Sequence, residues 1–301
     1  VVQVILLTAR PDLETNRRLA AAATELGATA VVVDAARVAA VAGEPPSLIW
    51  NGADVLAGRP GAVVPRVGNW RPASVLAALE VAVQRGFVSA NSPAAIRVGR
   101  DHWQTIRALG AAGLPAPGTV AGADPEVLAS AAEQRFGFPV VVKHRRSRMG
   151  VGVMRCDSRD HLEAVLDTQW RLGDEVVVQQ YLESGGVSLR LLVVGGEVVA
   201  AARFRAPAGE WRSNGARGAT AANHQPSAAE RRLAVGAAAA LGLGQCGVDL
   251  LIGDPPMVLE VNPTPGFRHL EAASGVDAAR ALMGHSIEIA RGGAATPTAR
   301  G

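Results

Sequence analysis

Cysteine is nearly missing from this chain of 301 residues: Cys156 and Cys246 stand far apart in no paired motif. That excludes a disulfide framework and a thiolate zinc site, and it fits a reducing, cytoplasmic compartment. Long apolar runs are missing too. The opening VVQVILLT is cut short by Arg10, Pro11 and Asp12 and carries neither a basic leader nor a cleavage site, so neither membrane insertion nor export is expected. Charge of one sign is scarce, with 30 Lys and Arg against 27 Asp and Glu. No array interleaves aromatic and basic residues, so a nucleic-acid partner is not expected. There is no Walker A run and no internal repeat. His161, His224, His269 and His285 stand at no metal-ligand spacing and read as surface or packing residues. Trp50, Trp70 and Trp170 read as packing, and Trp211 as a packing residue that could border a cleft.

What is present is patterned apolar sequence, 49% hydrophobic and 19% charged, enough for several packed layers and more than one domain. Residues 1–95 alternate strand-like and helix-like runs (VQVILLT, LETNRRLAAAATELGA, TAVVVDA, SLIWNG, AVVPRVGN, SVLAALEVAVQRGF). They predict an open α/β layer on a mostly parallel sheet. Residues 96–182 predict a compact α+β lobe. In it a helix ending at Gly113 and the extended linker LPAPGT precede the helix DPEVLASAAEQRFG, the strands VVVKH and VMRC, the helix SRDHLEAVLDTQWRL and the strand EVVVQQYL. Residues 183–290 open with a hairpin, SLRLLVVGGEVVAAARFRA, turned at Gly195 and Gly196. An Arg-rich loop, a helix AAERRLAVGAAAALGL and a last hairpin follow. Residues 291–301 form a low-complexity, flexible tail.

The last hairpin carries VLEVNPTPGF. Strand alternation puts Glu260 and Asn262 on one face. With Gly253–Pro256 as the turn, Ile252 faces Met257 and Asp249 stands opposite Glu260. Three hard oxygen donors on one face suit Mg²⁺, and a solvent-facing polar edge would give the same spacing. Lys143 ends an apolar strand and precedes a loop with Gly150 and Gly152. Such a loop can wrap phosphate oxygens, or it can be the tip of a plain hairpin. In VVVQQYLE the backbone at Gln180, Tyr181 and Leu182 could meet a flat base, or simply end a strand. Arg190 and Arg205 lie in the strands of the first hairpin, and Arg212 and Arg217 in the loop after it. A guanidinium fork suits carboxylate or phosphate.

Taken in order, PRVG (65–68), NSPAAIRVGRD (91–101), LPAPGT (114–119), FPVVVKH (138–144), MGVGV (149–153), VQQYLE (178–183), LRLLVVGGEVVAAARFRA (189–206), RSNGARGA (212–219), GVDLL (247–251) and LEVNPTPGF (259–267) resemble the ATP-grasp superfamily. Within it they look like the RimK-like carboxylate-amine ligases related to alpha-L-glutamate ligases. The resemblance implies an α/β and α+β chain, the ATP-grasp fold, with an N-terminal open α/β (preATP-grasp) domain and two lobes enclosing ATP. It assigns Lys143, Gly150 and Gly152 to the phosphates, Gln180, Tyr181 and Leu182 to adenine, and Arg212, Ser213 and Asn214 to the triphosphate end. Ser188 and His102 add nucleotide contacts. Asp249, Glu260 and Asn262 are assigned to Mg²⁺, or Mn²⁺ in its place. Arg190, Arg212, Asn214 and Arg217 would act in catalysis, and Arg190, Arg205, Arg217 and Asn69 would bind substrate, with Trp70 beside Asn69. The implied reaction phosphorylates a carboxylate with ATP and lets an amine attack the acyl phosphate. The implied partners are an amino acid and an amine or peptide acceptor, or an acidic carrier protein, and the implied assembly is a homo-oligomer.

Three positions depart from that pattern. His102 stands where the family has lysine, Ser188 stands where it has an acid, and the phosphate loop reads His144-Arg145-Arg146-Ser147-Arg148 without the usual acid and extra glycine. The arginines could grip phosphates or an acidic co-substrate. The alternative function is an ATP-binding regulatory or scaffold protein with a degenerate ligase site.

Overall fold

The computed structural model describes residues 1–58, 60–146, 152–213 and 218–292. The first block runs β1 Gln3–Thr8, α1 Glu14–Glu25, β2 Thr29–Asp34, β3 Ala39–Val41, β4 Ser47–Trp50, β5 Ala53–Asp54, β6 Ala62–Arg66 and α2 Pro72–Gln84. Its parallel sheet has three strands in the order β2-β1-β6. Ile5 and Leu7 face a core with Val33, Val63 and Leu79, whereas Val4 and Leu6 face a second core. This accounts for the apolar run in β1, which is buried on both faces. SLIWNG does not join that sheet as expected. It forms β4 in a separate antiparallel trio, β3-β4-β5, because Asn51 and Gly52, at φ 51° and 78°, turn the chain straight back, and a parallel partner needs a long crossover.

The second block runs α3 Pro93–Gly99, α4 His102–Ala111, β7 Thr119–Ala121, α5 Pro125–Phe136, β8 Val140–His144, β9 Val153–Cys156, α6 Arg159–Leu172 and β10 Val176–Gln180. Ser92, Asp101, Asp124 and Ser158 cap their helices by accepting from a backbone amide three residues on. The antiparallel sheet β7-β10-β8-β9 packs Val140, Val142 and Val178 against Leu128, Leu162 and Leu166 of α5 and α6. Lys143 and Gln179 lie on its other face by strand alternation. Ala95 and Leu109 of α3 and α4 share a core with Leu189, Leu233, Val248 and Val258 of the following block.

That block runs β11 Val187–Val194, β12 Glu197–Arg205, β13 Thr220–Asn223, α7 Ala228–Ala240, β14 Gln245–Leu251, β15 Met257–Asn262, α8 Arg268–Ser274 and α9 Ala278–Ala290. The antiparallel order is β13-β12-β11-β14-β15, and the β11–β12 hairpin turns at Gly195 and Gly196 with φ 59° and 83°. One face of the sheet packs on α7. The other packs Leu192, Ala202 and Phe204 with Leu6 and Leu19 of the first block and Met283 of α9. Helices α8 and α9 correct the expectation that a hairpin ends the last block. Asp277 caps α9, whose Ala279, Met283 and Ile287 recur every four residues on a buried stripe, a signal present in the sequence. The rest of the expected tail, 293–301, lies outside the described residues. No helix among the described residues is long and apolar enough to cross a membrane.

Candidate active site

A cleft of about 940 Å³, counting the open space at its mouth, runs between the four-stranded and five-stranded sheets. Its floor is the face of the larger sheet that carries Ser188, Arg190, Asp249 and Glu260. Asp249 stands directly opposite Glu260, as expected, but the route differs: Leu251 pairs with Met257 and Leu250 with Val258, so a bulge at Leu259 restores the register. The bulge turns two consecutive residues, Leu259 and Glu260, toward the cleft. Arg190, opposite Asp249 on the other side, holds it in a fork, Nε to Oδ1 at 2.6 Å and Nη2 to Oδ2 at 2.5 Å. Burial pulls the Arg190 guanidinium down, but the charge and hydrogen bonds of Asp249 more than reverse this and hold it above its ordinary value. Asn262 closes the same face opposite Gly247, its Oδ1 accepting from Thr264 N at 2.9 Å.

The side wall comes from β8 and β10. Lys143, the only lysine of the chain, is buried and donates from Nζ to Gln179 Oε1 at 2.5 Å; Gln179 Nε2 in turn donates to Thr119 Oγ1 at 3.0 Å. Burial lowers Lys143 to about 8, with Glu260 pulling weakly the other way. Gln180, Tyr181 and Leu182 follow along the rim, and Gln180 N is tied to Gly118 O at 2.8 Å. Arg155 lies over the Tyr181 ring at 4.5 Å.

The third wall is the loop after β12. Trp211 meets Tyr181 edge-on at 5.8 Å, and Ser213 Oγ donates to Ser188 Oγ at 2.6 Å. Arg212 is held by Glu210 and reaches across the cleft to the Val153 carbonyl at 3.1 Å. At the entry to β9, Gly152 has φ 68°, and a Cβ there would come within 2.2 Å of the His144 ring.

The structure therefore brings Lys143, Gln180, Tyr181, Leu182, Ser188, Arg190, Arg212, Ser213, His102, Asp249 and Glu260 to one cleft. Arg205 lies on the opposite face of the sheet, because it is one residue from Phe204, the partner of Ser188. Asn69 is exposed in the loop between β6 and α2 and does not line the cleft. Gly150, Arg148, Asn214 and Arg217 lie outside the described residues. Arg145 and Arg146 are both engaged by carboxylates. Arg145 pairs with Asp101 at 2.8 Å and Glu175 at 3.1 Å, and Arg146 reaches the same two carboxylates at 3.5 Å. Asp101 is buried at the cap of α4, so this network ties the chain just after β8 to that helix. Trp70 and Trp170 are exposed rather than packed. Two residues escaped sequence reading. Gln179 was readable as a polar residue with the parity of Lys143 across the β8–β10 pair, and Glu210 as an acid two positions before Arg212.

Among the described residues no group of three or more His, Cys, Asp and Glu side chains forms a metal cluster. The candidate set rests instead on two carboxylates and one amide. All are hard oxygen donors, and each Asp249 oxygen keeps a lone pair beyond its bond to Arg190, so the set fits Mg²⁺. With Lys143, Arg190 and Arg212 around it, the cleft is built to gather anions.

The RimK-like ATP-grasp domain family matches residues 99–285. A probable alpha-L-glutamate ligase of Marinomonas sp. (strain MWYL1) is 33% identical over 94% of this chain and 95% of its own. A RimK domain protein ATP-grasp from Sphaerobacter thermophilus DSM 20745 superposes with a TM-score of 0.72 at 26% identity, covering 94% of this chain and 99% of its own. The ATP-grasp ligase PsnB, solved with a phosphomimetic variant of its minimal precursor, Mg and ADP, shares the fold with a TM-score of 0.69 at 24% identity, covering 95% of this chain and 98% of its own.

Proposed function

Because this chain belongs to the RimK-like ATP-grasp family, we propose that it is an ATP- and Mg²⁺-dependent carboxylate-amine ligase that forms an amide on glutamate or another amino acid, peptide or carrier-protein substrate through an acyl phosphate. The observation that carries this reading is the direct opposition of Asp249 and Glu260 at the floor of a cleft walled by Lys143, Arg190 and Arg212. Two opposed carboxylates repel unless cations lie between or beside them. Asp249, Glu260 and Asn262 would hold Mg²⁺, which when bound neutralises phosphate charge and orients the transferring group.

The chain's own groups divide the remaining work. Lys143 supplies a buried positive charge to the nucleotide, and Gln180, Tyr181 and Leu182 form the adenine rim. Trp211 and Tyr181 restrict water at the mouth. Arg212 and Ser213 face the triphosphate, and Arg190 balances the charge of Asp249 so that the floor accepts further anions. Phosphorylation moves the γ-phosphoryl group from ATP to a carboxylate oxygen with release of ADP. The amine nitrogen then bonds to the acyl carbon as the carbon–oxygen bond to phosphate breaks, phosphate carries off the amine's proton, and the reaction asks no side chain to act as nucleophile.

ADP release from Mg²⁺ and ATP across a panel of amino acids and acidic peptides, with product masses and Glu260→Ala as control, tests this. The expected result is ADP that depends on both carboxylate and amine, with a product at the mass of the condensed pair. ATP binding without stimulated ADP from any pair would favour a nucleotide-binding regulatory protein instead.

A further inference from the structure

Glu210 stands two positions before Arg212, at the start of the loop that walls the cleft. Its Oε1 accepts from the backbone amides of Trp211 and Arg212 at 2.9 and 3.0 Å and from Arg212 Nε at 2.9 Å, while Oε2 accepts from Arg212 Nη2 at 2.8 Å. Arg212 Nη1 completes the arrangement by donating to the carbonyl of Val153 at 3.1 Å, on the far wall and next to Gly152. An arginine has five N–H donors, and these contacts use three. Among the described residues, one hydrogen remains on each terminal nitrogen of a guanidinium that lines the cleft.

We infer that Glu210 is a positioning residue: its fork on Arg212, together with the Val153 carbonyl, aims the guanidinium at the phosphate that is transferred. The inference rests on the proposed reading of Arg212 as a triphosphate contact. A carboxylate that merely held the place of a phosphate would have to leave when nucleotide arrives. Here departure would break bonds to two backbone amides as well as the fork, and a fork is the geometry that fixes a guanidinium plane. Glu210 also stays ionised, because the hydrogen bonds of Arg212 push its carboxyl down to about 2. A neighbouring carboxylate weakens the pull of Arg212 on ground-state phosphate. The gain from orientation therefore belongs to the transition state, in kcat rather than in nucleotide binding.

The test uses Glu210→Ala, Arg212→Ala and the double variant, with two readouts. The first is steady-state turnover. Glu210→Ala is expected to lower kcat on the order of 10²-fold, with KM for ATP changed less than about threefold, and the double variant to match Arg212→Ala rather than multiply the two losses. The second is the ³¹P resonance of the γ-phosphate of bound β,γ-imido ATP, which needs no turnover. Glu210→Ala should move it in the same direction as Arg212→Ala. Multiplying losses, tighter ATP binding with unchanged kcat, or a γ resonance that ignores Glu210 would each overturn the assignment. Glu210→Gln, which keeps the side chain's shape, supplies the same comparison if the alanine variant melts below assay temperature. The ³¹P pattern in a wild type that turns over no substrate would reject the ligase reading and leave the positioning role standing.

Discussion

Nζ of Lys143 donates to Oε1 of Gln179 at 2.5 Å inside the cleft wall, so the chain's only lysine is an ammonium with one fixed acceptor and little water. Its value is lowered by burial from 10.5 to about 8. Below pH 8 the folded and unfolded chains both carry this proton, and the fold bears the full cost of the buried charge. Between about 8 and 10.5 the unfolded chain binds more protons, so stability rises with pH, by about 3 kcal/mol at about 1.4 kcal/mol per pH unit. Urea unfolding at pH 7.5 and pH 10 should show the rise in the native chain and lose it in Lys143→Met. An equal pH dependence in both would mean that Lys143 titrates normally.

Nucleotide should reverse that shift. Phosphate oxygens beside Lys143 favour its charged form, so binding at pH 8.5 is expected to take up about three-quarters of a proton per ATP, and close to none at pH 6.5. Calorimetry in two buffers of different ionisation enthalpy reads the uptake directly. With a single lysine in the chain, Lys143→Met is a clean control. Persistent uptake in that variant would assign the proton to another group.

Gly152 sits at φ 68° with the His144 ring over it, and an added Cβ would lie 2.2 Å from that ring. Gly152→Ala therefore meets two obstacles, a left-handed backbone worth about 1–2 kcal/mol and a collision at the start of β9. It should weaken ATP binding roughly tenfold or more, the equivalent of about 1.4 kcal/mol. His144→Ala in the same chain should recover only the part due to the ring. Full recovery would show that the backbone angle costs nothing.

Much of this site was legible in the sequence because its chemistry is written in strand parity. Lys143, Glu260 and Asn262 interrupt apolar strands, and the opposition of Asp249 to Glu260 follows from antiparallel pairing. The bulge at Leu259 was not legible, since two register errors cancelled: a longer turn at Ile252–Pro256 and one extra residue in β15. The pairing partner of a charge was equally hidden. Arg145 and Arg212 look alike in a one-dimensional run of basic residues, yet Asp101 draws one away from the cleft and Glu210 holds the other in it. The separate β3-β4-β5 sheet depended on a two-residue turn at Asn51 and Gly52, whereas the buried stripe of α9, with Leu282, Met283 and Ile287, was legible and went unread.

The fork between Arg190 and Asp249 lies half-buried on the floor of the cleft, so each charge depends on the other. Removing one partner strands the second in a poorly solvated place, and the typical cost is about 3–5 kcal/mol. Arg190→Met and Asp249→Asn should each destabilise the fold by about that much, with Arg190→Met the worse because Asp249 then faces Glu260 without a counter-charge. The double variant should be less destabilised than the sum of the singles by at least about 2 kcal/mol. Mg²⁺ should restore part of the stability of Arg190→Met and none of Asp249→Asn, because the cation can replace the guanidinium beside two carboxylates but cannot replace a missing ligand. Thermal melting of the four chains with and without Mg²⁺ measures both effects. Additive losses together with equal Mg²⁺ responses would separate the ion pair from the metal site.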